Sequence, residues 1–340
     1  MYHVRELSAV RSLLMKHKLF TGVLCVVLAS VCYGITPILS NTALNGGLPA
    51  EFVTRVFGEN AVSIMAAHDS RAMTNESVVG ISMGIACLLS LINGLARGKS
   101  VRVSGKQAWQ LALLGGGALL ATLLLITYSY LRIPAGLTIV LNFTYPVFVV
   151  IAMTLFFKER LRPMTLLPLA VAIAGIVLIS HASIGGSLDL IGVLIAIVSG
   201  IAYAVYFLAG RNSAYAGLDT SVSNLYITGS ACILGMIIAI AFNRFSVPSD
   251  WFMWLILFFE ALLGYTIGLQ LLLKGIRLLG STTASALNTL EPAFASITSM
   301  IVFGEPMWLT KGIGVVLVLT AAVVSILTLK KPENPVELSE

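Results

Sequence analysis

The chain has 340 residues, 58% of them hydrophobic and 11% charged, with a mean hydropathy of +0.96 and a formal net charge of +6. Soluble domains carry about 25% charged residues, so this composition excludes an ordinary water-soluble domain and points to a bilayer. The basic residues sit in short clusters between apolar runs, the pattern of membrane-facing loops, so nucleic acid is not an expected partner.

In chain order, "MYHVRELSAVRSLLMKHK" (1–18) is basic and weakly amphipathic, and reads as a cytoplasmic N-terminal segment. The apolar run from Leu19 to about Leu44 is too long for the core of a signal peptide and lacks a small-residue cleavage site, which predicts a retained first span. A helix needs about 20 apolar residues to cross the hydrocarbon core. On that basis ten spans are predicted, at about 19–43, 77–96, 107–131, 133–157, 163–181, 190–210, 220–243, 251–273, 278–303 and 312–329. Residues 330–340 read as a cytoplasmic tail. With an inner N-terminus, 16 Lys and Arg fall on the inner side and 5 outside, which predicts cytoplasmic termini.

The chain repeats itself. "LNFTYPVFVVIAMTLFFKE" from Leu141 matches "LNTLEPAFASITSMIVFGE" from Leu287 at an offset of 146, with seven of 19 positions identical. Gly22, Val23, Leu24 and Tyr33 match Gly192, Val193, Leu194 and Tyr203 at an offset of 170, and Gly47 and Leu48 match Gly217 and Leu218. Two units follow, 19–182 and 188–329, each with five spans. An odd number of spans makes the second unit enter from the opposite side, an inverted-topology repeat. The first unit carries 24 extra residues, an additional outer loop at about 50–76, in which an interfacial helix is conceivable and a tolerated insertion is the simpler reading.

Within the ten predicted spans the only acids are Glu260 and Glu291, and such residues usually face a bundle interior or cavity. Glu291 shares a small, polar stripe with Ser281, Ala284, Asn288, Ala295 and Thr298, and Pro292 predicts a kink beside it. A purely structural role at that kink is the competing reading. Glu260 has Gly264 and Gly268 on its face, a pattern that admits a neighbouring helix closely, so a neutral acid bonded across that contact competes with a proton site. Span 1 presents Ser30, Tyr33, Thr36, Pro37 and Ser40; span 4 presents Thr138, Asn142 and Tyr145; span 6 presents Ser199, Tyr203 and Tyr206. Aromatic rings with hydroxyls suit an amphipathic organic substrate, although ordinary helix packing uses the same residues. Helix kinks are expected at Pro37, Pro146 and Pro292. Glu159 and Glu305 sit in turns before spans 5 and 10 and read as structural. Tyr128 and Trp109 read as membrane-interface residues, and Cys25, Cys32, Cys87 and Cys232 as small buried hydrophobes.

"RIPAGLTIVLNFTYPVFVVIAMTLFFKERL" and "GIRLLGSTTASALNTLEPAFASITSMIVFGEPM" resemble the two core segments of the EamA-like family of the drug/metabolite transporter superfamily, over about Phe20 to Leu329. The resemblance implies ten helices in two inverted units and export of small metabolites, often by proton exchange. It also implies a cavity between the halves, carried here onto Tyr33, Asn142, Tyr145, Tyr203, Asn288 and Glu291. The expected protein is therefore an all-helical secondary transporter of the bacterial plasma membrane that moves a metabolite, amino acid or drug-like molecule by alternating access. Glu291 and then Glu260 are the proton-coupling candidates. The expected partners are a small-molecule substrate, the bilayer and protons, with no metal or cofactor. A polytopic membrane enzyme is the alternative from another class, but no HExxH, GxSxG or paired intramembrane Asp is present. A nucleotide-sugar or phosphorylated-metabolite antiporter is the alternative among transporters, although the cavity candidates lack the Lys or Arg that phosphate favours.

Overall fold

The computed structural model describes residues 2–47, 54, 72–159, 163–180, 189–303 and 308–327. Among them every regular element is helical. The helices in chain order are α1 (Tyr2–Asn45), α2 (Asn75–Ala96), α3 (Gly105–Tyr130), α4 (Ala135–Asn142), α5 (Tyr145–Phe157) and α6 (Pro163–Ile179). They continue as α7 (Leu190–Asn212), α8 (Thr220–Ala241), α9 (Trp251–Leu279), α10 (Ser281–Asn288), α11 (Glu291–Phe303) and α12 (Leu309–Leu327). Among the described residues, eight helical stretches are long and apolar enough to cross a membrane, one of them Leu137–Phe157 across α4 and α5, and Leu166–Ile179 is a shorter apolar helix.

Local chemistry sets these boundaries. Asp189, Asp219 and Asp250 cap α7, α8 and α9, each carboxylate accepting from backbone N–H groups of the first turn. Ser104 and Gln107 form a reciprocal capping box at α3. Lys158 ends α5 in a left-handed conformation (φ 57°), and Gly280 (φ 92°) separates α9 from α10.

The first helix starts at Tyr2 and runs through the basic segment into the candidate span Met15–Asn45. Two boundaries differ from expectation. α9 runs to Leu279 and thereby includes Lys274 and Arg277. α2 begins at Asn75, which moves Glu76 from the predicted loop into the first helical turn. Most of the extra loop, and Glu305, lie outside the described residues.

The helices pair as α1 with α9, α3 with α7, α2 with α8 and α6 with α12. Lipid tails give apolar side chains no reason to prefer one another, so small residues govern such contacts. An added Cβ at Gly175 would lie 2.7 Å from the Gly314 carbonyl oxygen, and one at Gly314 would lie 2.6 Å from that of Gly175. The contacts also recur at the two sequence offsets. Gly22 packs on Leu278 and Leu279, and Gly192 packs on Arg132 and Ile133. α3 and α9 each contain a stretch of π-helix, at Leu111–Gly117 and Ala261–Gly268.

Candidate functional site

Two helices stop and restart in the bundle. α4 ends at Asn142 and α5 begins at Tyr145; α10 ends at Asn288 and α11 begins at Glu291. Tight turns bridge both gaps, with Thr144 N–H donating to the Leu141 carbonyl at 3.2 Å and Leu290 N–H to the Leu287 carbonyl at 3.1 Å. Pro146 and Pro292 fall in the first turns that follow, where a missing N–H costs nothing. At both places a two-residue turn interrupts the regular helix. Pro37 lies inside the continuous α1 and is exposed.

Asn288 is the hub between the breaks. Its Nδ2 lies 3.1 Å from the Tyr145 hydroxyl, 3.2 Å from Glu291 Oε2 and 3.5 Å from the Tyr203 hydroxyl. Ser30 Oγ donates to Asn288 Oδ1 at 3.3 Å. One buried amide thus joins α1, α5, α7 and α11. Tyr145 and Tyr203 have ring centroids 4.6 Å apart, and each lies 5.1 Å from Phe207. Tyr33 is nearly buried, and its hydroxyl has no partner among the described residues. Glu291 itself remains partly exposed. Asn142, at the other break, accepts from Ser199 Oγ at 3.0 Å. Of the six predicted cavity residues, these bonds join Tyr145, Tyr203, Asn288 and Glu291; Asn142 lies at the other break, and no bond ties the Tyr33 hydroxyl to them among the described residues.

Glu260 is elsewhere. It is fully buried, accepts from Ser82 Oγ at 2.8 Å and from Ser40 Oγ, and ties α1, α2 and α9 together. Gly264 and Gly268 approach Thr36 and Tyr33 of α1, as the small-residue spacing predicts. The intervening π-helix, which that spacing did not reveal, shifts the register.

Sequence reasoning missed another buried acid. Glu76 is 2% exposed; it accepts from the Tyr128 hydroxyl at 2.9 Å and pairs with Arg244 at 3.2 Å. Tyr128 thus has a specific partner as well. The partners of Glu76 are 52 and 168 residues away, so no local pattern announces them. At the opposite end of the bundle, Arg277 donates to Ser223 Oγ at 2.8 Å, to the Tyr215 carbonyl at 3.2 Å and to the Leu218 carbonyl. Arg211 donates to the Arg277 carbonyl at 2.9 Å, and Thr282 donates to Glu159 at 3.1 Å. The best-formed grooves are not at either cluster: one of about 400 Å³ between α5 and α6 is almost wholly apolar, with Val147, Ile151, Leu155 and Leu166 among its lining.

A broken-helix bundle with polar groups at the breaks is an arrangement found in membrane transporters, and comparison with known proteins is decisive. The family model of the EamA-like transporter family matches residues 52–181 and again 190–327. The chain belongs to the EamA-like transporter family. It is 22% identical to an uncharacterized transporter of Clostridium kluyveri over 245 residues, 69% of this chain and 78% of that protein. It is 26% identical to the uncharacterized transporter YvbV of Bacillus subtilis over 250 residues, 71% of this chain and 79% of that one. A crystal structure with 18% sequence identity shares the fold, with a TM-score of 0.72 over 90% of this chain and 96% of the other. As an EamA-like protein the chain is a membrane transporter, embedded in the bilayer and acting on a small molecule, rather than an enzyme.

Proposed function

We propose that the protein is a secondary transporter that exports a small organic molecule, with ten spans arranged as two inverted five-span units. Both termini are cytoplasmic in this reading. The observation that carries it is the Asn288 hub: four helices from both units meet at a helix break through one amide. Breaks at matching positions in both units, π-stretches in α3 and α9, and paired glycine contacts at the two offsets support the repeat.

The two ends differ, which supports alternating access. Phe207 is fully buried and its carbonyl accepts from Ser281 Oγ at 2.9 Å; Pro37, its counterpart at the 170-residue offset, is exposed. Arg277 and Ser281 tie their end of the bundle together, and alternating access requires these bonds to part when that end opens.

Glu291 is assigned to substrate and proton handling. Helix α11 starts at this residue, and a helix N-terminus favours an anion there. Glu260 is assigned mainly as a tether, because both carboxylate oxygens are held by serines. Reconstituted protein loaded with candidate solutes tests this. Glu291→Gln keeps the shape and fixes a neutral state, so it should insert normally and lose efflux driven by a pH gradient. Glu260→Gln should lose less. Efflux by Glu291→Gln at the wild-type rate, with unchanged pH dependence, sinks the assignment.

A further inference from the structure

We propose that Cys87 of α2 and Cys232 of α8 are a paired redox site on the pseudo-twofold axis relating the two units, where a lipid-soluble two-electron oxidant closes a disulfide across a contact that both access states share. Two observations carry it. The stretch "GIACLL" from Gly84 recurs as "GSACIL" from Gly229, at an offset of 145, with the glycine, alanine, cysteine and final leucine identical. These two copies also meet each other. A Cβ at Gly84 would lie 3.1 Å from Cys232 Sγ, and a Cβ at Gly229 would lie 3.1 Å from Cys87 Sγ. Each thiol rests in the notch left by the other copy's glycine. Such reciprocal contact between equivalent residues marks the place where a twofold axis passes between two elements.

The register brings the thiols within bonding reach. Residues three apart on a helix have Cβ atoms about 5–6 Å apart, so Cys232 Sγ, seated at position 84, lies about one turn from the Cys87 side chain. A disulfide spans Cα atoms about 4.4–6.8 Å apart. Both cysteines are free, partly exposed and near the middle of their helices, where an apolar oxidant dissolves. The Cys87 thiol donates weakly to the Leu225 carbonyl at 3.5 Å. Cys25 and Cys32 sit about two turns apart on α1, too far to pair with one another. On oxidation two S–H bonds break and one S–S bond forms. Two electrons and two protons leave the pair: iodine becomes two iodides, and a membrane quinone becomes its hydroquinone. Reactant and product are both uncharged, so the hydrocarbon region opposes neither.

The consequence for movement rests on the transporter reading above. Alternating access between inverted repeats exchanges the conformations of the two units. A contact that differs between the units must change in that exchange; a contact that maps onto itself need not. The two ends of the α2–α8 pair differ. Glu76, bonded to Tyr128 and Arg244, ties one end, and Asn93, bonded to Ser221 and Gln270, ties the other. The crossing at the cysteines is the same from both sides, 3.1 Å in each direction. It is therefore the fixed point of the exchange, and a covalent link there joins the units without halting them.

Thiol counting and hydrogen exchange on the purified full-length protein test this, with one equivalent of iodine as the oxidant. After oxidation and denaturation, alkylation should find two free thiols of the four in wild type, and peptide mapping should find Cys87 joined to Cys232. Cys87→Ala and Cys232→Ala should each keep the remaining three thiols free. A wild type that keeps all four, or that joins any other pair, overturns the proposal, and packing alone then explains the two cysteines. Hydrogen exchange reads the movement. Arg277→Ala should speed exchange at residues 215–218 and slow it at residues 39–45, by the same factors with the pair reduced or oxidised. Changes that appear in the reduced protein and vanish on oxidation overturn the shared contact. If the ends fail to respond in the reduced protein, alternating access itself is wrong, and the thiol count still decides the pair.

Discussion

Asn288 and Asn142 occupy matching places in the two repeats, yet they carry unequal loads. Asn288 bonds to Ser30, Tyr145, Tyr203 and Glu291, whereas Asn142 accepts from Ser199. Asn288→Ala should therefore cost about 1–3 kcal/mol through the partners it strands, and Asn142→Ala less; thermal melts of the two variants side by side check the ranking. The pairing of Asn142 with Asn288 was legible as a sequence repeat. The unequal load was only partly legible: the repeat puts Tyr145 opposite Glu291, but their convergence on one amide is a matter of packing. Asp189 makes a second residue-scale test. The Arg132 guanidinium, bonded to it at 2.9 Å, holds its carboxyl below the usual Asp range, helped by the α7 backbone N–H groups. A depressed carboxyl contributes stability above its unfolded pKa and loses it as the pH falls through the folded value. Wild type should thus lose a small increment on strong acidification that Asp189→Asn lacks throughout; acid melts of the pair would show parallel curves if the contact contributes nothing.

Among the elements, long apolar runs and their spacing made helix positions legible, because lipid leaves the backbone few other solutions. The internal irregularities were not. Prolines marked the two broken helices, but a kink and a break look alike in sequence, since proline suits both a bent helix and the first turn of a new one. The π-stretches in α3 and α9 carry no composition signal beyond their glycines. Gly116 shows what those glycines do: a Cβ there would lie 2.4 Å from the Ile227 carbonyl oxygen and 2.1 Å from Ser230 Oγ. Gly105, in the first turn of the same helix, meets nothing within 4 Å. Gly116→Ala should destabilise by about 1–3 kcal/mol or more through overpacking, while Gly105→Ala should be neutral or slightly stabilising. Equal melting temperatures for the two variants would mean that α3 and α8 are not held as closely as described.

For the whole molecule, the central claim is that two matching units close one end of the bundle while opening the other. Arg277 ties one end of the bundle together through Tyr215, Leu218 and Ser223, bonds that link residues 54 to 62 positions apart. Sequence placed Arg277 in a cytoplasmic turn and gave it only a topological role, because its partners are mostly backbone carbonyls that no side-chain pattern reveals. Arg277→Ala should release that end, and the repeat should convert the release into closure at the other. Electron–electron resonance distances between spin labels test this most directly, with one pair at Asn41 and Leu131 and another at Ala214 and Lys274. All four sites are exposed. The expected result is that Arg277→Ala lengthens the distance between Ala214 and Lys274 and shortens that between Asn41 and Leu131. Lengthening at one end with no change at the other, or movement of both in the same direction, would contradict alternating access between two coupled halves.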